Sequence, residues 1–230
     1  MKKIGKMGEA AWVLGTLICA FGVALSTKAG FGLSMISAPP YIVHVIISKY
    51  LPFYTQGMSE YIWQAVTLAV MCLIIGKFKF KYLLSFVSAV IFGFAIDGSL
   101  FILGGASVPE SMLLRIVYFV AGELAITLAV AFVFNTYLVP QAAECIVVEI
   151  SNRFSKKVSS VKLGFDIACA VFSGILALIA YFITDELVGV GVGTVIVVFI
   201  NAPLIKLWGI LLSKIFTFEA AFPKLEKKFK

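Results

Sequence analysis

Charged residues are scarce in this chain of 230 residues: they make up 13% of it, whereas hydrophobic residues make up 61%. Soluble globular domains carry about a quarter charged and about half apolar residues. The composition therefore excludes a soluble domain. Apolar stretches of about 20 residues, enough to cross a hydrocarbon core of about 30 Å, recur along the chain and leave no room for a second domain.

Metal ligands and redox groups are also few. The chain has one histidine, His44, and four cysteines without a CxxC pair: Cys19, Cys72, Cys145 and Cys169. This scarcity argues against a zinc site or a disulfide framework, and no nucleophile with a nearby base stands out. We therefore predict no metal, no cofactor and no enzymatic activity.

The basic residues give a formal net charge of +7, but they sit in short clusters between apolar runs. A nucleic-acid-binding protein needs its cations on one folded surface, so we predict no nucleic-acid partner. Clusters of this kind are typical of topology signals, because Lys and Arg collect on the cytoplasmic side of a membrane.

Six apolar segments are long enough to cross a membrane: about 10–29, 58–76, 82–104, 111–137, 161–184 and 187–212. Two shorter apolar stretches, 34–50 and 139–152, contain Pro39-Pro40 and Pro140 and carry polar residues every few positions. They are interpreted as short broken or re-entrant helices, and whether they cross fully stays open.

The charge bias supports six crossings with both termini in the cytoplasm. With the N-terminus inside, 15 of the 19 basic residues are cytoplasmic, including Lys77 to Lys81 and a basic tail over 213–230. Counting both short stretches as spans would put the Lys77 to Lys81 cluster outside. The outer connections are then predicted to hold Glu60, Glu110, Asp185 and Glu186, with Lys28 and Lys49 as exceptions.

The two halves of the chain, about 10–104 and 111–212, repeat one order of elements. Gln64 matches Asp166 at a separation of 102 residues, and Asp97 matches Asn201 at 104. Three crossings per half is an odd number, so the second half enters the membrane in the opposite sense. We therefore predict an all-α membrane protein of about six transmembrane helices in two inverted repeats, each with a short broken or re-entrant helix.

Three sequence runs resemble the YczE/YitT-like family of bacterial membrane proteins. They are Gly22-Val23-Ala24-Leu25-Ser26-Thr27-Lys28-Ala29-Gly30-Phe31-Gly32, Val161-Lys162-Leu163-Gly164-Phe165-Asp166, and Val190-Gly191-Val192-Gly193-Thr194-Val195 leading to Pro203. Many relatives carry Pro-Trp-Asp after the first span, where this chain has Ala38-Pro39-Pro40-Tyr41. The resemblance implies a small multi-pass protein of the bacterial plasma membrane, and it names no substrate.

Carboxyl groups are the main candidates for function, because a charged group at the bilayer centre costs about 2.5 to 3.5 kcal/mol on insertion scales. The four in or near spans are Asp97, Glu123, Glu144 and Asp166. Each is a candidate proton or cation site, with Asp97 first; the alternative is a polar pair, as Lys162 offers Asp166 on the same helical face. Arg115 and Lys206 are the possible positive partners within spans.

Uncharged polar residues offer a second chemistry at the short helices. Their N-termini would direct positive dipole ends toward the midplane, which suits an anionic group on a substrate. The candidates there are Ser34, Ser37, Asn135 and Gln141, although helix capping explains the same residues. Gln64 and Asn201, which the repeat matches to Asp166 and Asp97, are further candidate binding residues. His44 is a candidate proton relay or a packing residue. Gly189, Gly191 and Gly193 lack the lysine of a phosphate loop and indicate close packing or a hinge.

We predict a secondary transporter, with an exporter as one form of it, that moves a small molecule or ion by alternating access with Asp97 coupling to a proton. A channel and a non-transporting accessory protein are the alternatives. The predicted partners are the lipid bilayer and this substrate, and a homodimer is an open option. A negative interior favours a cation whereas helix N-termini favour an anion, so the sequence leaves the substrate's charge open.

Topology reporters test the predicted orientation. Green fluorescent protein fused within residues 77–81 or after the last residue is expected to fluoresce, because both positions are predicted to be cytoplasmic. Alkaline phosphatase inserted at 105–110 is expected to be active, since this connection is predicted to lie outside. Active phosphatase at 77–81 would show that the orientation or the number of crossings is wrong.

Overall fold

The computed structural model describes residues 8–79, 81–136, 138 and 141–218. In these ranges the chain forms the helices α1 (Gly8–Ala29), α2 (Ala38–Ser48), α3 (Gln56–Ile75), α4 (Lys81–Ile102), α5 (Met112–Phe134), α6 (Ala142–Phe154), α7 (Val158–Thr184) and α8 (Val192–Ile215). The all-α prediction is confirmed. Lys2, Lys3, Lys6, Pro140 and the predicted tail beyond 218 lie outside the described residues.

Six of these helices, α1, α3, α4, α5, α7 and α8, are long and apolar enough to cross a membrane. The six predicted spans are therefore confirmed as helices of the right length. The largest shift is at α8, which begins at Val192 rather than near 187, because 185–191 forms a loop with left-handed backbone at Asp185 and Gly189. α2 and α6, with 11 and 13 residues, reach only about half to two-thirds of a 30 Å core.

α1 and α5 form the central helix pair and run antiparallel along their length. Gly15 of α1 lies against Val133 of α5, Gly22 lies against Gly122, and Gly30 lies beside Arg115. A Cβ at Gly22 would come within 2.8 Å of the Gly122 carbonyl oxygen. Glycine thus lets the two backbones approach closely, as at many membrane helix interfaces.

The remaining helices pack around this pair in a pattern that is largely conserved when α1–α4 are exchanged for α5–α8. α1 packs on α4 and α5 packs on α8; α3 packs on α6 and α2 packs on α7; α2 also packs on α3, and α6 on α7. Two contacts break the pattern. First, α4 also packs on α6, whereas α8 is not packed on α2 in the part of the chain that the structure describes. Second, α3 packs closely on α4, whereas within the described ranges α7 and α8 are not a packed pair.

The first residues of the helices show how closely the two halves of the chain correspond. α5, α6 and α7 begin 104, 104 and 102 residues after α1, α2 and α3, but α8 begins 111 residues after α4. Asp97 is consequently the seventeenth residue of α4, while Asn201 is the tenth residue of α8. The sequence match between these two residues therefore does not correspond to equivalent positions along the helices.

The two ends of the bundle differ in the charged residues that they carry. We call the end with the start of α1 and the α3–α4 connection the basic end, and the other the opposite end. The described basic residues at or near the basic end are Lys77, Lys79, Arg153, Lys156, Lys157 and Lys214. This clustering matches the bias read from the sequence.

The cations of the opposite end are bound to the C-terminal carbonyl groups of helices. Lys28 donates to the carbonyls of Leu103 (2.7 Å) and Gly105 (3.1 Å) after α4, and Lys49 donates to Ile183 at the end of α7. Arg115 donates to Ala29 (2.9 Å) and Gly30 at the end of α1. These cations satisfy carbonyls that no helical N–H can reach, which explains the exceptions to the charge bias.

Glu60 is a correction to the sequence analysis. It was assigned to an outer connection, but it lies within the first turns of α3 and is only 5% exposed. The apolar run that defines a span marks its length only approximately. The predicted span 58–76 contains Glu60, so its burial agrees with that span and contradicts only its assignment to the outer connection.

Glycine substitutions test the α3–α4 contact. A Cβ at Gly57 would clash with the carbonyl oxygen of Gly93 and with Asp97, whereas a Cβ at Gly98 on the same α4 meets no atom within 4 Å. Gly57→Ala is expected to destabilise the folded protein by about 1 to 3 kcal/mol through overpacking. Gly98→Ala is expected to be neutral or stabilising, because alanine is the better helix former.

The measurement is thermal unfolding of the purified protein in detergent. Equal unfolding midpoints for the two alanine variants would contradict the close contact of α3 with α4.

Candidate functional site

A polar face runs along the first three turns of α3. It consists of Gln56, Ser59, Glu60, Gln64 and Thr67, each at most 8% exposed. Their spacing places them on one side of a helix, and that side faces the interior of the bundle. The sequence analysis selected only Gln64 from this set. The signal for the others was the recurrence of polar residues at helical spacing within an apolar span.

Gln64 ties this polar face to the start of α6. Its Oε1 accepts a hydrogen bond from the backbone N–H of Ala142 (3.3 Å), and its Nε2 lies 3.2 Å from Oε1 of Glu60 and 3.4 Å from Oε1 of Gln141. Gln64 is the ninth of the 20 residues of α3, so α6 begins beside the middle of a long helix.

The other end of α6 is held at the basic end of the bundle. The carboxylate of Glu149 accepts hydrogen bonds from Lys79 (2.7 Å) and from the Tyr82 hydroxyl (2.8 Å). α6 therefore extends from the middle of α3 to the basic end. Its N-terminal N–H groups lie deep in the bundle, where Gln64 of α3 accepts from the N–H of Ala142.

Glu123 lies in the contact between α1 and α5 and is 2% exposed. Its Oε1 accepts a hydrogen bond from the Ser26 hydroxyl at 3.3 Å. Its Oε2 is buried and has no hydrogen-bond partner among the described residues. A buried acceptor without a donor is costly, so this oxygen is the most conspicuous unsatisfied group of the site.

Three carboxyl groups from three helices lie in the interior near α1. Glu144 of α6 lines a small cavity together with Cys19 of α1. Glu60 of α3 accepts from Gln64, which also contacts Gln141 of that cavity, and Glu123 of α5 accepts from Ser26 of α1. We call these three carboxyl groups the acidic centre. In the described part of the chain, no three side chains of the metal-binding types come close enough to hold a metal ion.

Two cavities lie along α1. The large cavity, about 370 Å³, is at the opposite end, where Ser26 and Thr27 of α1 line it with Tyr41 of α2 and the loop before α8. The small cavity, about 40 Å³, is lined by Gly15, Cys19, Gln141 and Glu144 among others. The contact of Gly22 with Gly122 lies between them, and Glu123 follows Gly122 directly.

Comparison with known proteins gives a family for this arrangement. Residues 7–209 match the model of a family described as "Family of unknown function (DUF6198)". The chain belongs to this family. Neither the curated proteins nor the solved structures gave a match.

Asp97 has a structural role in this DUF6198 protein. Its two carboxylate oxygens accept hydrogen bonds from the Thr55 hydroxyl (2.7 Å) and from the backbone N–H of Gly57 (2.8 Å) at the start of α3. It thus caps α3 from α4, an arrangement that is favourable at the positive end of a helix. Asp166 pairs with Lys162 at 3.2 Å, as the alternative interpretation held.

The other candidates form local contacts. Ser37 shares a turn with Ser34, and Asn135 donates to the Ala131 carbonyl at the end of α5. His44 packs between the rings of Tyr41 and Tyr54. Asn201 is half-buried on α8, and its Oδ1 has no hydrogen-bond partner in the described ranges.

The structure therefore brings together four of the ten predicted site residues and adds one. Gln64, Gln141, Glu144 and Glu123 lie around α1 and the start of α6, joined by Glu60. Of the remaining six, Asp97 caps α3, Asp166, Ser37 and Asn135 form local hydrogen bonds, His44 packs between aromatic rings, and Asn201 has an unsatisfied Oδ1 in the described ranges. Gly191 and Gly193 lie against Phe31, and a Cβ at either would come too close to its carbonyl oxygen, so close packing explains these glycines.

Substitution of Asp97 tests its capping role. Asp97→Ala leaves the Gly57 N–H and the Thr55 hydroxyl without an acceptor, and we expect a loss of about 1 to 3 kcal/mol in stability. Asp97→Asn keeps one acceptor oxygen and is expected to lose less. Asp166→Ala is the control, because a partly exposed pair contributes at most about 1 kcal/mol.

Thermal unfolding in detergent provides the readout for these three variants. If Asp97→Ala and Asp166→Ala unfold at the same temperature, the capping role of Asp97 is refuted.

Proposed function

We propose that this protein is a secondary transporter that works by alternating access around Glu123. The observation that carries the proposal is the position of this buried carboxyl group. It lies beside the Gly22–Gly122 contact, which separates a cavity of about 370 Å³ from one of about 40 Å³, and it keeps one oxygen without a partner in the described chain. A group in that place can be reached alternately from either cavity if the contact opens.

Inverted repeats are part of the proposal. If α1 and α5 are equivalent helices of two inverted repeats, they must run in opposite directions, and they do. The packing of α6 on α3 and of α2 on α7 is likewise exchanged between the halves. We propose that both short helices are re-entrant, that both termini are cytoplasmic, and that the chain is a relative of the YczE/YitT-like proteins of the bacterial plasma membrane.

Glu123 replaces Asp97 as the proposed coupling group. Both oxygens of Asp97 are occupied by the start of α3. Lys28 and Arg115, the cations bound nearest the end of α1, donate to carbonyl groups rather than to Glu123. A buried carboxyl group without a basic partner can alternate between a proton and a cationic substrate, which is the exchange that a coupled transporter needs.

The difference between the halves supports a carrier with distinct states. α3 and α4 are packed together, whereas the described α7 and α8 are not, and the larger cavity lies at the opposite end. If the two halves rock against each other, a single state is expected to have the helices of one half tightly packed and those of the other half apart. A channel needs a continuous path through the bundle. Here α1 and α5 are instead in close backbone contact at Gly22 and Gly122.

Proton movement in proteoliposomes tests the function. Vesicles with an internal pH-sensitive dye are exposed to a panel of metabolites, ions and antibiotics. We expect one class of compound to drive saturable proton movement, and Glu123→Gln to reduce it on the order of tenfold or more, because the amide cannot release a proton. Asp166→Asn is the matched control and is expected to retain coupling, since Asp166 is paired with Lys162.

Two results would favour the other classes of function. Unitary currents across a planar bilayer would indicate a channel. No flux with any compound, together with a membrane protein that co-purifies in a fixed ratio, would indicate an accessory protein.

A further inference from the structure

We propose that the large cavity binds a small organic cation, a primary or methylated ammonium, with its charge at the end formed by Ser26 and Thr27. This inference rests on the proposed function and deepens it, since it names the class of substrate that would exchange with the proton on Glu123.

The charges around the cavity are negative at both ends. Glu186 lines the cavity and is exposed, whereas Glu123 lies directly behind Ser26 at the inner end. The described lining residues include no lysine, arginine or histidine. Carboxyl groups at the entrance and at the base attract and retain a cation, because a cleft with low-dielectric walls focuses the field of the charges that line it.

At the inner end of the large cavity, hydrogen-bond acceptors outnumber donors. The Ser26 hydroxyl donates to Glu123, and the Thr27 hydroxyl accepts from Nε2 of Gln56. Behind these two lining residues, Oε2 of Glu123 and Oε1 of Gln56 are buried and have no partner within the described chain. A primary ammonium supplies N–H donors to such oxygens and a fully methylated ammonium supplies only its positive charge, whereas a carboxylate or phosphate would add further acceptors.

Arg115 does not reverse this preference. It lies behind the wall of the cavity and donates to the carbonyls of Ala29 and Gly30, with its guanidinium 4.7 Å from the centre of the Phe31 ring. It is thus engaged with the end of α1 and lies outside the lining. The ring of Tyr41 lines the cavity and offers an aromatic surface that suits a methylated ammonium.

The size of the cavity sets the size of the cation. About 370 Å³ is near the lower end of the range for small-molecule sites, which is about 300 to 1,000 Å³. A bare metal ion would leave nearly all of this space empty, and an organic cation occupies more of it.

Thermal stabilisation of the full-length protein in detergent tests the site with defined probes. Tetramethylammonium and ethylammonium chloride are compared with sodium chloride, sodium acetate and neutral 1-propanol. We expect a saturable rise of the unfolding midpoint with the two ammonium salts only, because binding to the folded state stabilises it. Glu123→Gln is expected to weaken this binding about tenfold or more, which corresponds to about 1.4 kcal/mol.

Two further variants keep the test valid if Glu123→Gln folds poorly. Val108→Trp fills the cavity from a lining position that is 46% exposed, so it is expected to fold and to weaken tetramethylammonium more than ethylammonium. Glu186→Gln is expected to weaken binding a few-fold, since its carboxyl group is exposed. Glu110→Gln, an exposed carboxyl group at the same end, is the matched control and is expected to bind normally.

Stabilisation by acetate rather than by ammonium would overturn the inference, and so would ammonium binding that Glu123→Gln and Val108→Trp both leave unchanged. Ammonium binding that these variants weaken, without flux in proteoliposomes, would support the site and refute the transport function. Saturable transport that is insensitive to Val108→Trp and Glu186→Gln would support the transport function and refute the cation site in the large cavity.

Discussion

The close antiparallel contact of α1 with α5 is the constraint on which the rest of the bundle depends. Lipid gives no hydrophobic drive for two helices to associate, so contact must come from close packing. Gly15, Gly22 and Gly122 supply it, because a side chain at Gly22 or Gly122 would clash with the backbone of the other helix. α4 and α8 then pack on this pair from either side, and Ser26 and Glu123 are placed within it.

The need to satisfy helix ends accounts for four charged groups of the described bundle. Free N–H and C=O groups at a helix terminus have no water to bind in a bilayer. Lys28, Lys49 and Arg115 bind carbonyls at helix C-termini, and Asp97 binds the start of α3. These four charges are explained by architecture. The carboxyl groups of the acidic centre are not, which is why the functional proposal is based on them.

The proposed transport mechanism depends on the acidic centre and the large cavity. A buried carboxyl group binds a proton or a cation but not both, so a group reachable from two sides can exchange one for the other. The contact of Gly22 with Gly122 separates those sides, and it joins the two helices that relate the halves of the chain. Movement of one half against the other would open this contact and change the cavity to which Glu123 is exposed.

The sequence alone determined the all-α class, the six long helices and the two short ones, because apolar length and flanking charge are local properties. It also identified Glu123 and Gln64 as unusual in their spans. Only the tertiary structure decided the role of each polar group. Asp97 was ranked first, yet it caps α3, and Glu60 was placed outside, yet it is buried. Both outcomes depend on which face of a helix meets which neighbour, and periodicity within one helix does not specify that neighbour.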